Sequence, residues 1–129
     1  MQNVALLYND KSVLENYHCA EGYKIIDKHG LFGKNTVDQR KKFRRLIIML
    51  VLITDLSDHF RFTSELKNVL SLQFGRLDGS KKDLLLKMVI KISDIGHGSK
   101  LLSLHQKWSL RVSEEFYRQG DQGIHFPID

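Results

Sequence analysis

Leu46-Ile47-Ile48-Met49-Leu50-Val51-Leu52-Ile53 is the longest unbroken apolar run in the chain. Crossing a bilayer takes about 20 such residues, so this run reads as a core helix, not a membrane span. Its start lies upstream at Thr36, whose hydroxyl is set to cap a helix with Gln39 three residues on. The pattern predicts a helix over residues 36–59. Phe43, Ile47, Leu50 and Thr54 fall on one face, and Leu46, Met49, Leu52 and Ile53 cover the others. A helix apolar all round has to be enclosed by other elements.

Four more helices are read on either side. Ser12-Val13-Leu14-Glu15 has the form of a capping box, which predicts a helix over residues 12–26 with Val13, Tyr17 and Ala20 on one face. Gly30 and Gly33 mark a loop over residues 31–35. A weaker helix is expected over residues 63–72, with Leu66, Val69 and Leu70 inward. After a loop over residues 75–79, Ser80 is expected to cap a helix over residues 80–92, with Asp83 near its positive end. The last helix is expected over residues 102–119. There Leu104, Trp108, Val112 and Phe116 recur every four residues, and Gly120 is expected to stop it. Residues 123–127 read as irregular. The predicted fold is all-α. Two of these helices look enclosed, yet short helices supply little surface to enclose them, so partner helices outside the chain are expected to pack on it.

Composition agrees with this reading. The 129 residues are 42% hydrophobic and contain one Pro and one Cys. That excludes a disulfide scaffold and argues against a small β-sandwich and against disorder throughout. No basic leader precedes the short apolar stretch Ala5-Leu6-Leu7, and a cytoplasmic location is expected. The net charge of +5 is local. Arg40, Lys41, Lys42, Arg44 and Arg45 surround Phe43 ahead of the apolar run. They could mark a nucleic-acid or anionic-membrane patch, but no reader motif or aromatic platform accompanies them. They are read as the solvated first turns of the helix, and no nucleic-acid partner is expected.

Asp94 is the position that calls for chemistry. It ends an apolar helix and is followed by Gly96 and Gly98. A carboxylate buried there would be costly unless paired or metal-bound. Spacing alone leaves open a helix-end residue, a salt bridge with Lys91 or Lys100, or a metal ligand.

Four blocks bear on that choice. Residues 92–100, Ile-Ser-Asp-Ile-Gly-His-Gly-Ser-Lys, resemble the Asp-Leu/Ile-Ser-His/Asn-Pro-x-Lys segment of the class I 3′,5′-cyclic-nucleotide phosphodiesterases. Residues 6–18 are similar to that family's Tyr-Asn-Asp-x-Ser-Val-Leu-Glu-Asn-His-His block. Residues 53–60 are similar to its Ala-Thr-Asp-Met/Leu-Ser-x-His block. Trp108 with residues 114–121 is similar to its Trp-x(6)-Glu-Phe-Phe-x-Gln-Gly-Asp block. The blocks stand in the family's order at compatible spacing.

The resemblance implies an all-helical metallohydrolase that cleaves cAMP and/or cGMP to the 5′-nucleotide in signal transduction. Two divalent ions, zinc and magnesium, would bridge the attacking hydroxide and stabilise the charge growing on phosphorus. Asp94 matches a metal ligand. Glu15 matches a residue that orders metal-bound water, and His18 and Thr54 match polar residues around the same centre. Leu56, Ile95, Val112 and Phe116 match the apolar surroundings of the purine. His97 stands at a base-contacting position, and His105 where some members have Tyr. Taken without the resemblance, Val112 and Phe116 read as core, His18 as a surface histidine and Glu15 as a capping partner.

The resemblance is incomplete. The family's upstream His-x(3)-His pair and its His-Asp-x-x-His block are not in the chain, nor are its purine-selecting Gln and stacking Phe. Gly98 replaces the usual Pro. The expectation is therefore the central part of a catalytic domain over residues 1–129, with an incomplete metal site and no activity alone. The alternatives are a non-catalytic helical paralogue and a helical binding module.

Overall fold

The computed structural model describes residues 2–71 and 78–124. Among them there is no strand, and the all-α expectation holds. Six helices appear: α1 Gln2–Leu7, α2 Val13–Lys28, α3 Val37–Leu52, α4 His59–Ser71, α5 Gly79–Asp94 and α6 Leu102–Ile124. Two 3₁₀ turns join them, Leu56–Asp58 before α4 and Gly96–Ser99 before α6. The chain divides into two units, Met1–Lys91 and Ile92–Asp129, and each is described by itself. No helix among the described residues is long and apolar enough to cross a membrane.

Several boundaries differ from the sequence reading. Helix α1 was not expected; Asn9 and Asp10 then turn the chain in left-handed backbone conformations. These residue types tolerate that region better than most. Ser12 is also left-handed, at φ 42 and ψ 52, and makes no side-chain cap. A capping serine needs extended backbone, so the expected box with Glu15 does not form. The Thr36–Gln39 box does form: Thr36 Oγ1 accepts from the Gln39 amide, and the Gln39 side chain accepts from the Thr36 amide.

Helix α3 stops at Leu52, short of the expected residue 59. Two polar side chains redirect the backbone there. Thr54 Oγ1 donates to the Val51 carbonyl at 2.8 Å, and the Asp55 carboxylate accepts from the Ser57 amide at 2.8 Å. Such local bonds compete with helix continuation. Helix α4 accordingly starts four residues earlier than expected, at His59. Asp78, not Ser80, caps α5: its carboxylate accepts from the Lys81 amide and the Ser80 hydroxyl. The Lys81 amide first, then Ser80, hold that carboxyl below the usual range. Helix α6 runs through Gly120, whose cost inside a helix, about 1 kcal/mol relative to Ala, is small enough to absorb. Pairs at Glu114–Arg118 and Glu115–Gln119 brace the turn before it. The loop expected over residues 75–79 lies mostly outside the described residues, and Gly79 begins α5.

Two small cores hold the first unit. Helices α2 and α3 pack around Phe32, whose ring meets Phe43 edge-on at 4.8 Å and lies 6.0 Å from Tyr23. Gly30, at φ 61, supplies the left-handed turn that delivers Phe32 to this site. The Arg44 guanidinium covers the Tyr23 ring at 4.3 Å, and Arg45 pairs with Asp83 of α5. The second core is Ile53, Phe62 and Leu84, with Leu66, Val69, Met88 and Ile90 against it. Leu70, expected inward, is exposed.

Enclosure of the apolar helices is not reached. Residues 46–52 are each only half-buried, and Leu86, Val89 and Ile92 of α5 are exposed. The buried charged residue of α5 is Lys91, not Asp94. Its Nζ donates to the Ile53 carbonyl at 2.6 Å and approaches the Asp55 carbonyl at 3.5 Å, with the Phe62 ring 5.9 Å away. These contacts satisfy the buried amino group and join α5 to the α3–α4 junction.

Lys91→Met keeps much of the side-chain volume and leaves the Ile53 carbonyl without this donor. We expect it to destabilise the junction by about 1–3 kcal/mol. Faster amide hydrogen exchange over residues 53–59, with exchange in α6 unaltered, is the measurement that checks this.

Candidate functional site

The sequence-derived site residues fall into two sets. Glu15, His18, Thr54 and Leu56 belong to the first unit; Asp94, Ile95, His97, Val112 and Phe116 belong to the second.

In the first unit, Glu15 and His18 sit three residues apart on α2, which places them on neighbouring turns of one side. Glu15 is half-buried and His18 exposed. Glu15 makes no capping box, so the local role expected for it is not the one it plays. Thr54 is half-buried at the α3 terminus with its hydroxyl on the Val51 carbonyl. Leu56 projects from the following 3₁₀ turn, 59% exposed. These two segments are tied by one bond: Ser12 Oγ donates to Asp55 Oδ2 at 2.6 Å. The left-handed backbone at Ser12 aims the hydroxyl across the fold instead of along its own helix. The Ser12 hydroxyl first, then the Ser57 amide, hold the Asp55 carboxyl below the usual range, against a smaller opposing effect of burial. Cys19, on the same helix, is half-buried, and burial pushes its thiol up.

In the second unit, Asp94 closes α5 and is exposed, which corrects the expectation of a carboxylate at a buried helix end. The desolvation cost that made it conspicuous does not arise, because α5 presents its last turn to solvent. Lys91, one candidate partner, is instead bonded to backbone carbonyls. Ile95 is 61% exposed and Phe116 53%, while Val112 is at 36%. The stripe on α6 is therefore real in register but is not buried. His97 lies in the Gly96–Ser99 turn, which packs on α6, and its Nδ1 is 3.1 Å from Nδ1 of His105.

Among the described residues, no three His, Cys, Asp or Glu side chains gather within reach of one ion. Asp94 with the other described donors does not make a two-metal set. Sequence reasoning missed Ser12, Asp55 and Lys91 as the ties of the first unit. The odd polar group in each apolar segment was the available signal, but its partner is about 40 residues away in sequence.

A profile of the 3′5′-cyclic nucleotide phosphodiesterase family matches residues 1–126. Relatives agree. The probable 3′,5′-cyclic phosphodiesterase pde-1 of Caenorhabditis elegans is 39% identical over 119 residues, 91% of this chain and 17% of its own length. The dual specificity calcium/calmodulin-dependent 3′,5′-cyclic nucleotide phosphodiesterase 1B of Bos taurus is 39% identical over 120 residues, 92% of this chain and 22% of its own length. The probable 3′,5′-cyclic phosphodiesterase pde-3 of Caenorhabditis elegans is 40% identical over 124 residues, 91% of this chain and 17% of its own length. The chain belongs to the 3′5′-cyclic nucleotide phosphodiesterase family, a family of metal-dependent hydrolases, and spans about a fifth of the length of these relatives.

The Ser12–Asp55 bond has a pH signature. A depressed folded-state pKa makes Asp55 stabilising above its unfolded value and removes that contribution as pH falls through the folded value. Ser12→Ala should move the Asp55 carboxyl pKa back up toward the ordinary range. A carboxyl-carbon NMR titration of the two proteins reads that shift directly; coincident Asp55 curves would contradict it.

Proposed function

We propose that residues 1–129 are the central part of a catalytic domain that hydrolyses cAMP and/or cGMP to the 5′-nucleotide. The observation that carries this is the family match over residues 1–126, with the four sequence blocks in order along it. Zinc and magnesium are the ions proposed for the intact domain, where they would supply a water of lowered pKa and charge stabilisation. Because the described residues bring no such donor set together, no reaction step is assigned to this chain's own side chains.

The roles proposed are those the family blocks imply. Asp94 contributes a single carboxylate ligand, and its solvent exposure leaves it free to do so. The remaining ligands are proposed to come from outside these residues. Glu15, His18 and Thr54 would surround the same centre. Ile95, Val112 and Phe116, with Leu56 and His97, would face the purine. The exposed apolar side chains of the second unit suit that role, since an apolar surface facing water gains when a ring or another protein segment covers it. The half-buried α3 and the exposed face of α5 suit the packing of further helices of the domain. A cytoplasmic setting is proposed for the whole protein.

The test has two arms. The purified 129-residue chain with zinc and magnesium is expected to show no turnover of either cyclic nucleotide. A chimera carrying residues 1–126 in place of the matching stretch of the Bos taurus relative is expected to hydrolyse them, and Asp94→Ala in that chimera should abolish the activity. A folded but inactive chimera, or one indifferent to Asp94→Ala, overturns the reading.

A further inference from the structure

His97 and His105, two imidazole side chains of the second unit, lie against each other. Their Nδ1 atoms are 3.1 Å apart, while the ring centres are 5.1 Å apart and the ring planes lie within 14°. The nitrogens therefore lie between the rings, edge to edge, and the rings do not stack face on face. Both residues are half-buried. Backbone bonds fix the two segments that carry them. The Gly98 amide donates to Ile95 and the Lys100 amide to His97, while the His105 amide donates to Leu101 in the first turn of α6.

We propose that His97 and His105 form a binding site for a borderline divalent d-block cation of the zinc or copper(II) class. The site takes His97, proposed above to face the purine, but not Asp94, and it does not depend on the hydrolase reading. Without a metal, the two nitrogens share one hydrogen: one ring donates and the other accepts. When the donor ring moves its proton from Nδ1 to Nε2 and stays neutral, a cation between the rings meets two nitrogen lone pairs 3.1 Å apart. Imidazole is the ligand this class of ion prefers, in its neutral form.

The spacing suits the chemistry. Two nitrogens at about 2.0–2.1 Å from a tetrahedral zinc ion stand about 3.3–3.4 Å apart. At adjacent corners of a square-planar or tetragonal copper site they stand about 2.8–3.0 Å apart, for bonds of the same length. The observed 3.1 Å lies between the two, so either ion needs only a few tenths of an ångström of adjustment. Water completes the coordination from the solvent side. Magnesium, which takes oxygen ligands, has no such match here.

The experiment uses the 129-residue chain, followed by the side-chain NMR signals of its histidines during titration with zinc chloride, copper(II) sulfate and, as control, magnesium chloride. Zinc is expected to shift the His97 and His105 signals together and saturate at one equivalent. Copper(II) is expected to broaden the same two first, and magnesium to leave both unmoved. His97→Asn and His105→Phe, the second keeping an aromatic ring in place, should each abolish the response while the helical circular-dichroism signal is retained. Asp94→Asn and His18→Asn should leave it intact. Zinc binding that survives both pair variants, that is lost with Asp94→Asn, or that never perturbs His97 and His105 overturns the proposal.

Discussion

The amino group of Lys91 on the Ile53 carbonyl is the contact on which the first unit turns. It reaches from α5 into the break between α3 and α4, where the backbone has left helical geometry and its carbonyls have lost their helical partners. The same break carries Asp55, whose carboxylate caps the 3₁₀ turn and receives the Ser12 hydroxyl from the start of α2. Three segments distant in sequence thus meet at one short stretch of non-helical chain. Apolar packing of Ile53, Phe62 and Leu84 surrounds it but does not choose its geometry. The polar contacts do, because a buried amino group or carbonyl without a partner costs far more than one of several equivalent apolar contacts.

That junction also explains why Thr54 and Leu56 sit where they do. Thr54 is the last residue whose hydroxyl can bond back into α3, and Leu56 opens the turn that Asp55 caps. Residues proposed to face a metal centre and a purine therefore stand on either side of a structural carboxylate. A family block containing Thr-Asp-x-Ser reads, in physical terms, as a helix stop: Thr ends one helix, Asp starts the next turn, and the amide two residues on donates to the Asp carboxylate. The proposed functional use of the block and its architectural use fall on the same few residues.

Much of this was legible in the chain, and the misses have a common cause. Helix type, the Thr36 cap, the Gly30 turn and the register of the α6 stripe follow from local chemistry, and each was readable. The Ser12 box failed because its hydroxyl found a better partner 43 residues away, and α3 ended early because Thr54 and Asp55 bonded to the backbone next to them. Asp94 drew attention for a burial it does not have, while Lys91, three residues earlier and equally unusual in an apolar helix, carries the burial instead. One-dimensional patterns identify that an apolar helix holds a misfit polar residue. Which misfit is buried depends on what crosses it in space.

The α6 stripe shows how a periodic pattern serves more than one end. Leu104 to Phe116 spans about 18 Å along the helix axis, longer than a purine ring. One base can cover Val112 and Phe116 but not Leu104 and Trp108 as well, and all four are at least partly exposed. On the proposed reading Val112 and Phe116 face substrate, which leaves the exposed Leu104 and Trp108 open to a further protein segment. Periodicity sets which residues share that face; what covers the face depends on what lies against it in space.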